Sequence, residues 1–155
     1  MRLVVQRVSR AEVLVAGERV AAVGAGLLVL CGFGPDDGPH APQAPWWKAM
    51  LAKLLELRVF SDAGGKMNLS LADVGGEVLL VSQFTLYGDC RRGRRPSFSR
   101  AAAPEVAGAL FERLLADLEA LLPGRVGAGV FGADIDVHLT NHGPVTLILD
   151  SRDFA

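Results

Sequence analysis

Cysteine, histidine and aromatic residues are scarce in this chain, and each scarcity removes a class of protein. Among its 155 residues there are two cysteines, three histidines and a single tyrosine. Cys31 and Cys90 lie far apart with no metal-type spacing, which excludes a zinc ribbon and a disulfide-built scaffold. Cys31 falls in an apolar run and reads as buried packing; Cys90 follows a Gly-Asp turn and reads as exposed. Long hydrophobic runs are also missing. Half the residues are hydrophobic, yet no run approaches the ~18 residues of a membrane span. The first ten residues carry Arg2 and Arg7 and alternate like a strand, without the apolar block of a secretion signal. The expectation is a soluble, cytoplasmic protein with one domain over residues 1–155 and no membrane partner. A net charge of −1 leaves no excess of either sign, so the molecule as a whole is no polyanion binder.

What is present is a series of short strands and two helices. Arg2 to Val8 alternates loosely as a strand. Glu12 to Val15 and Val20 to Val23 flank Ala16-Gly17 as a hairpin, and Gly26 to Phe33 reads as a fully buried strand. A loop with four prolines runs from Pro35 to Pro45. Trp47, Met50, Leu51, Leu54 and Leu55 then recur at helical spacing up to about Arg58, with Pro45 in the first turn. Asp62-Ala63-Gly64-Gly65 signals a turn. A strand from Glu77 to Tyr87 is the most hydrophobic in the chain. A second helix covers Pro104 to Leu122, with Val106, Leu110, Leu114, Leu118 and Leu121 as its apolar stripe. Val126 to Phe131, Asp134 to Thr140 and Val145 to Leu149 complete about eight strands, and Asn141-His142-Gly143-Pro144 reads as a hairpin bend between the last two. The pattern is α+β, with mixed or antiparallel sheets.

Three places could carry chemistry. Gly143 has no Cβ and Pro144 no N–H, so their carbonyls can face a cavity without side-chain cover; tight turns are also where cis X-Pro bonds concentrate. Ser82, Gln83 and Thr85 interrupt an apolar strand. Either they pair across an exposed face, or the strand ends there and opens into a site; Gly88-Asp89 favours the second. Arg91, Arg92, Arg94, Arg95 and Arg100 crowd into ten residues opposed by Asp89 alone. That is a solvated loop or a local phosphate patch. Standard catalytic sets are absent: no G-x-S-x-G elbow, no H-E-x-x-H, no phosphate-binding glycine loop. His138 shares a strand face with Asp134, Asp136 and Thr140 and reads as a surface histidine. Nothing in the sequence joins Cys90 to His142 as a nucleophile pair.

Ser82-Gln83-Phe84-Thr85-Leu86 and Asn141-His142-Gly143-Pro144-Val145-Thr146 resemble the two signature motifs of the D-aminoacyl-tRNA deacylases. Val5-Gln6-Arg7-Val8, Lys66-Met67-Asn68-Leu69-Ser70, Arg95-Pro96-Ser97-Phe98 and Phe131-Gly132-Ala133-Asp134 match in the family's order, so the similarity spans nearly the whole chain. It implies a barrel-like core with two helices, a homodimer, and hydrolysis of the ester joining a D-amino acid to the 3′-terminal adenosine of tRNA, with no metal or other cofactor. It implies a cis Gly143–Pro144 bond inserted into the partner's pocket, where the two carbonyls exclude L side chains and tolerate D-amino acids and glycine. Arg7 would hold that segment, with Asn141, Met67 and Phe131 as supporting residues. Ser82, Gln83, Phe84 and Thr85 would form the catalytic segment. Either Thr85 is the nucleophile or the 2′-OH of the terminal ribose does the proton work. Arg91, Arg92, Arg94 and Arg95 would contact tRNA phosphates. Two readings stand beside this one: the related branch that clears L-alanine from tRNA, with a trans Gly-Pro bond, and a non-catalytic RNA-binding module.

Overall fold

The computed structural model describes residues 1–154. Its spine is strand β1, Arg2–Val15, which runs through both segments read separately from the sequence. No glycine or proline lies between Val8 and Glu12 to break the extended backbone. A bulge at Ser9 absorbs the irregularity instead, since Val8 faces Asn141 and Arg10 already faces Thr140. The spine changes partner at this point. Up to Val8 it pairs antiparallel with β3 (Gly26–Gly32), and from Ala11 with β2 (Glu18–Val23). The turn into β2 is the expected one, with positive φ at Ala16 (50°) and Gly17 (83°).

Helix α1 (Pro45–Glu56) and the ribbon of β4 (Phe60–Ser61) and β5 (Met67–Leu69) come next, followed by β6 (Glu77–Ser82). Helix α2 (Pro104–Leu121), β7 (Val126–Ala128) and β8 (Ile135–Asp150) complete the chain. The main sheet runs β2-β1-β3-β6-β7, with β8 on the other side of β1. Strands β3, β6 and β7 are parallel and the rest antiparallel. The ends β2 and β7 approach so closely that a Cβ on Gly127 would lie 3.4 Å from that of Ala21. The mixed sheet is therefore nearly closed into a barrel, filled by Val8, Ala11, Val13, Val23, Leu28, Leu79 and Val81.

The two helices cover the outside of β1, β3 and β6. Trp47, Met50, Leu51 and Leu54 of α1 and Ala107, Leu110, Phe111, Leu114 and Leu118 of α2 bury against Leu3, Val5, Leu27, Val29 and Leu80. Each large side chain so buried contributes about 1.5–3 kcal/mol. Trp47 Nε1 donates to Asp117 Oδ2 at 2.8 Å and ties one helix to the other. One member of the expected stripe is misplaced: Leu121 is 52% exposed. The helix ends there, and Leu122 turns inward in its stead.

Two further expectations are corrected. The strand read through Tyr87 stops at Ser82, and Phe84–Tyr87 forms a 3-10 turn. Pairing explains the stop: Ser82 is opposite Cys31, near the end of β3, and no strand continues beyond it. The backbone closes on itself instead, Leu86 N–H to Gln83 O at 3.2 Å and Gly88 N–H to Thr85 O at 2.9 Å. Nor is there a hairpin at Asn141–Pro144. Strand β8 is continuous, because β1 is long enough to template both halves.

Candidate active site

The carboxyl ends of the parallel strands β3 and β6 open onto a cavity of about 340 Å³, the place where sheets of this kind usually hold ligands. Ser82, Gln83 and Phe84 line one wall, Gly32 and Phe33 a second, and Ala102, Ala107 and Phe131 a third. Phe131 packs on Phe111 with ring centroids 5.9 Å apart, which fixes that wall to α2. Gln83 N–H donates to Cys31 O at 2.6 Å, so the chain leaves β6 tethered to β3 before it turns. As the first two residues of the 3-10 turn, Phe84 and Thr85 begin it with N–H groups that the turn leaves unpaired. The Thr85 hydroxyl accepts from the Gln83 side-chain amide. An amide N–H cannot take a proton from it, so this partner is no general base. Burial pushes the Cys31 thiol up to about 12, making it inert at neutral pH.

The second feature is a bulge in β8. Gln6 faces Thr146 and Val8 faces Asn141, so His142, Gly143, Pro144 and Val145 all stand opposite Arg7 alone. The Gly143–Pro144 bond is cis. Arg7 is only 7% exposed. Its Nε donates to His142 O at 2.8 Å, and its Nη1 donates to Val59 O. The guanidinium lies so close under Gly143 that a Cβ there would overlap it, and φ of Gly143 is +128°. Only glycine satisfies both conditions. Asn141 closes the base of the bulge: Oδ1 accepts from Val145 N–H and Nδ2 donates to Thr146 Oγ1, each at 2.9 Å. Gln6 Nε2 adds a bond to the same hydroxyl at 3.2 Å. Gly143 and Pro144 are thus exposed yet held from both sides.

The arginine loop is a small hairpin. Asp89 and Ser97 exchange main-chain bonds of 2.8 and 2.9 Å, and Cys90 to Pro96 form its exposed tip. Asp89 grips Arg91 through its Nε (2.8 Å) and backbone N–H (3.0 Å), and the guanidinium holds the carboxyl well below the usual carboxylate range. Among the described residues Arg92, Arg94 and Arg95 have no ion-pair partner.

The structure thus brings Ser82, Gln83, Phe84 and Phe131 around one cavity. It leaves Thr85 just outside and Arg7, Asn141, Gly143 and Pro144 on a separate feature. Met67, 61% exposed on β5, lines no part of the cavity. Gly32 and Phe33 were missed as wall residues. The one available signal was the end of the buried run at Phe33, but its parallel register with Ser82 is a tertiary fact. Among the described residues, no three His, Cys, Asp or Glu side chains converge to hold a metal ion. Nor, among the described residues, is any helix long and apolar enough to cross a membrane.

Comparison with known proteins identifies the family. The family model described as D-Tyr-tRNA(Tyr) deacylase matches residues 4–150. A D-aminoacyl-tRNA deacylase of Solidesulfovibrio magneticus is 60% identical over 153 residues, covering 99% of this chain and 97% of that one. One of Anaeromyxobacter dehalogenans is 58% identical over 153 residues, covering 98% of each. A solved structure titled c-Myc DNA Unwinding Element Binding Protein superposes with a TM-score of 0.87 at 40% identity, over 97% of this chain and 98% of that one. A probable eukaryotic D-amino acid tRNA deacylase shares the fold, with a TM-score of 0.81 at 22% identity, over 96% of this chain and 97% of that one. These relatives place the molecule among the ester hydrolases that act on aminoacyl-tRNA. The chain belongs to the D-Tyr-tRNA(Tyr) deacylase family, and its activity is that of a D-aminoacyl-tRNA deacylase.

Proposed function

We propose that the chain removes D-amino acids, and glycine mischarged on tRNA-Ala, from the 3′-terminal adenosine of tRNA, and that it does so as a homodimer. In this reading the Gly143–Pro144 bulge of one copy faces the Ser82–Phe84 cavity of the other. The observation that carries it is the bulge itself. It is clamped by Arg7 and Asn141, its Gly143 and Pro144 are exposed, and it stands apart from the residues that line the Ser82–Phe84 cavity of its own chain. The exposed apolar side chains Leu139, Leu147 and Ile148 lie beside it on the outer strand β8 and offer a surface for a second copy.

Handedness is then read by exclusion. Carbonyl oxygens fixed near the substrate Cα collide with an L side chain, while a D side chain points away and glycine has nothing to collide. The adenosine occupies the cavity between Ser82, Gln83 and Phe131. Water attacks the ester carbonyl, the N–H groups of Phe84 and Thr85 hold the developing oxyanion, and the ribose 3′-oxygen leaves with a proton. Each such donor is worth about 3 kcal/mol. The proton work falls to the ribose 2′-OH, because the Thr85 hydroxyl is paired with an amide and has no base beside it. Arg92, Arg94 and Arg95 take tRNA phosphates, with Arg91 already half-neutralised by Asp89; such contacts are blind to sequence and weaken with salt.

A non-catalytic nucleic-acid module is the second reading, favoured by the same arginine tip and by the name of the 40% identical relative, a DNA unwinding element binding protein. One set of assays separates the possibilities. Wild type is expected to hydrolyse D-aminoacyl-tRNA and spare L-alanyl-tRNA, to sediment as a dimer, and to keep its activity as Thr85→Ala. Preferential cleavage of L-alanyl-tRNA would place the chain in the other branch. A monomer that cuts D-esters selectively would sink the cross-subunit scheme.

A further inference from the structure

Phe84 and Phe98 are two large apolar side chains left in solvent, 54% and 40% exposed. They touch each other edge to face, with ring centroids 5.1 Å apart and planes at 71°. Neither belongs to a hydrophobic core cluster. Even so, the backbone is arranged to hold them together. The Asp89–Ser97 main-chain pair returns the chain so that Phe98 lies over the 3-10 turn carrying Phe84. Gly88 sits beneath the ring, where a Cβ would come within 3.2 Å of Phe98 Cε1, so a larger residue would push the ring away.

The order of features from the cavity outward is the informative part. Phe84 lines the cavity, Phe98 abuts Phe84 outside it, and the unpaired guanidinium groups of Arg92, Arg94 and Arg95 stand on the hairpin that Phe98 closes. Aromatic faces beside cationic side chains are what single-stranded nucleic acid binds: bases stack on the rings and phosphates meet the cations. We propose that Phe84 and Phe98 form a stacking platform for the unpaired nucleotide directly 5′ of the terminal adenosine. The proposal rests on the reading above for what fills the cavity. Because every base has a π-face, the platform is indifferent to the base it receives. It fixes how far the strand enters, so that the ester stops at the Phe84–Thr85 N–H groups.

The test uses Phe98→Leu, which keeps an apolar side chain but removes the π-face, and Phe98→Trp, which enlarges that face. The probe is a short single-stranded RNA ending in CCA, with 2-aminopurine at the penultimate position. Wild type is expected to change the 2-aminopurine fluorescence on binding. Phe98→Leu should weaken affinity on the order of tenfold, and Phe98→Trp should retain it. On esters, Phe98→Leu should lose about tenfold more in kcat/KM on D-aminoacyl-tRNA than on D-aminoacyl-adenosine, which lacks the stacked nucleotide, with the difference in KM. Equal losses on both esters, unchanged RNA affinity, or dissociation of the dimer in Phe98→Leu would each overturn the platform; the last would make the pair an interface between copies. The RNA probe contains no ester. A wild type that cleaved no D-ester would therefore defeat the deacylase reading, while the binding result would still decide the platform.

Discussion

Arg7 and Gly143 show how much one pair of residues can decide. The guanidinium fork reaches two main-chain carbonyls, one in the bulge and one at Val59 just before β4, and it fits only because Gly143 carries no Cβ. Lysine is a point donor and cannot span both. Arg7→Lys is expected to leave one buried carbonyl unpaired and to cost about 1–3 kcal/mol. Gly143→Ala should cost a similar amount through its disallowed φ and its overlap with Arg7. Both are expected to erode the preference for D- over L-aminoacyl-tRNA, measured as a rate ratio, with urea unfolding as the control for stability. A ratio unchanged in both variants would show that the bulge does not read chirality. The residues alone had singled out Gly143 and Pro144, whereas Arg7 came only from the resemblance. An arginine in an alternating strand looks like a solvent-facing charge until its partner strand is known.

At the scale of elements, apolar periodicity was a good guide to the helices and a poor one to where strands end. The stripe of α2 identified Leu110, Leu114 and Leu118, all buried, but it also ran on to Leu121 in the last turn, where the core has ended. Leu118→Ala is expected to lose about 2–5 kcal/mol as a core cavity, and Leu121→Ala to change stability by no more than about 0.5 kcal/mol. Urea denaturation of the two variants checks this, and a similar loss in both would mean Leu121 is covered. The strand errors share one cause. A strand ends where its partner ends, so Ser82 closes β6 because β3 stops beside it, and β8 passes the Gly-Pro pair because β1 continues opposite. Neither partner is visible in the local sequence.

For the molecule as a whole, the first strand and the last are joined by charge as well as by pairing. Asp150 at the end of β8 accepts from Arg2 Nε at 3.1 Å and from Arg152 Nη2 at 2.7 Å. The hydrogen bonds from Arg152, more than those from Arg2, hold its carboxyl well below the usual carboxylate range against the opposing effect of burial. A carboxyl lowered in this way adds stability that is complete above its unfolded pKa of about 3.9 and is lost as pH falls below it. The gap in urea midpoint between wild type and Asp150→Asn should therefore hold from pH 7 down to about pH 4.5 and shrink at pH 3. A gap that stayed constant across that range would exclude this ion pair as a source of acid sensitivity.

By itself the sequence determined the two long helices, most of the extended stretches, which face of each helix is apolar, and, through two motifs in register, the family. Those properties depend on side chains a few residues apart, and a linear reading captures them. Tertiary structure alone decided that one long strand serves three partners, that the β6 strand breaks at Ser82 to open a cavity, and that a bulge rather than a turn presents the Gly-Pro pair. Each of those outcomes depends on hydrogen bonds between residues far apart in the chain, and backbone groups take whichever partner the folded sheet sets beside them.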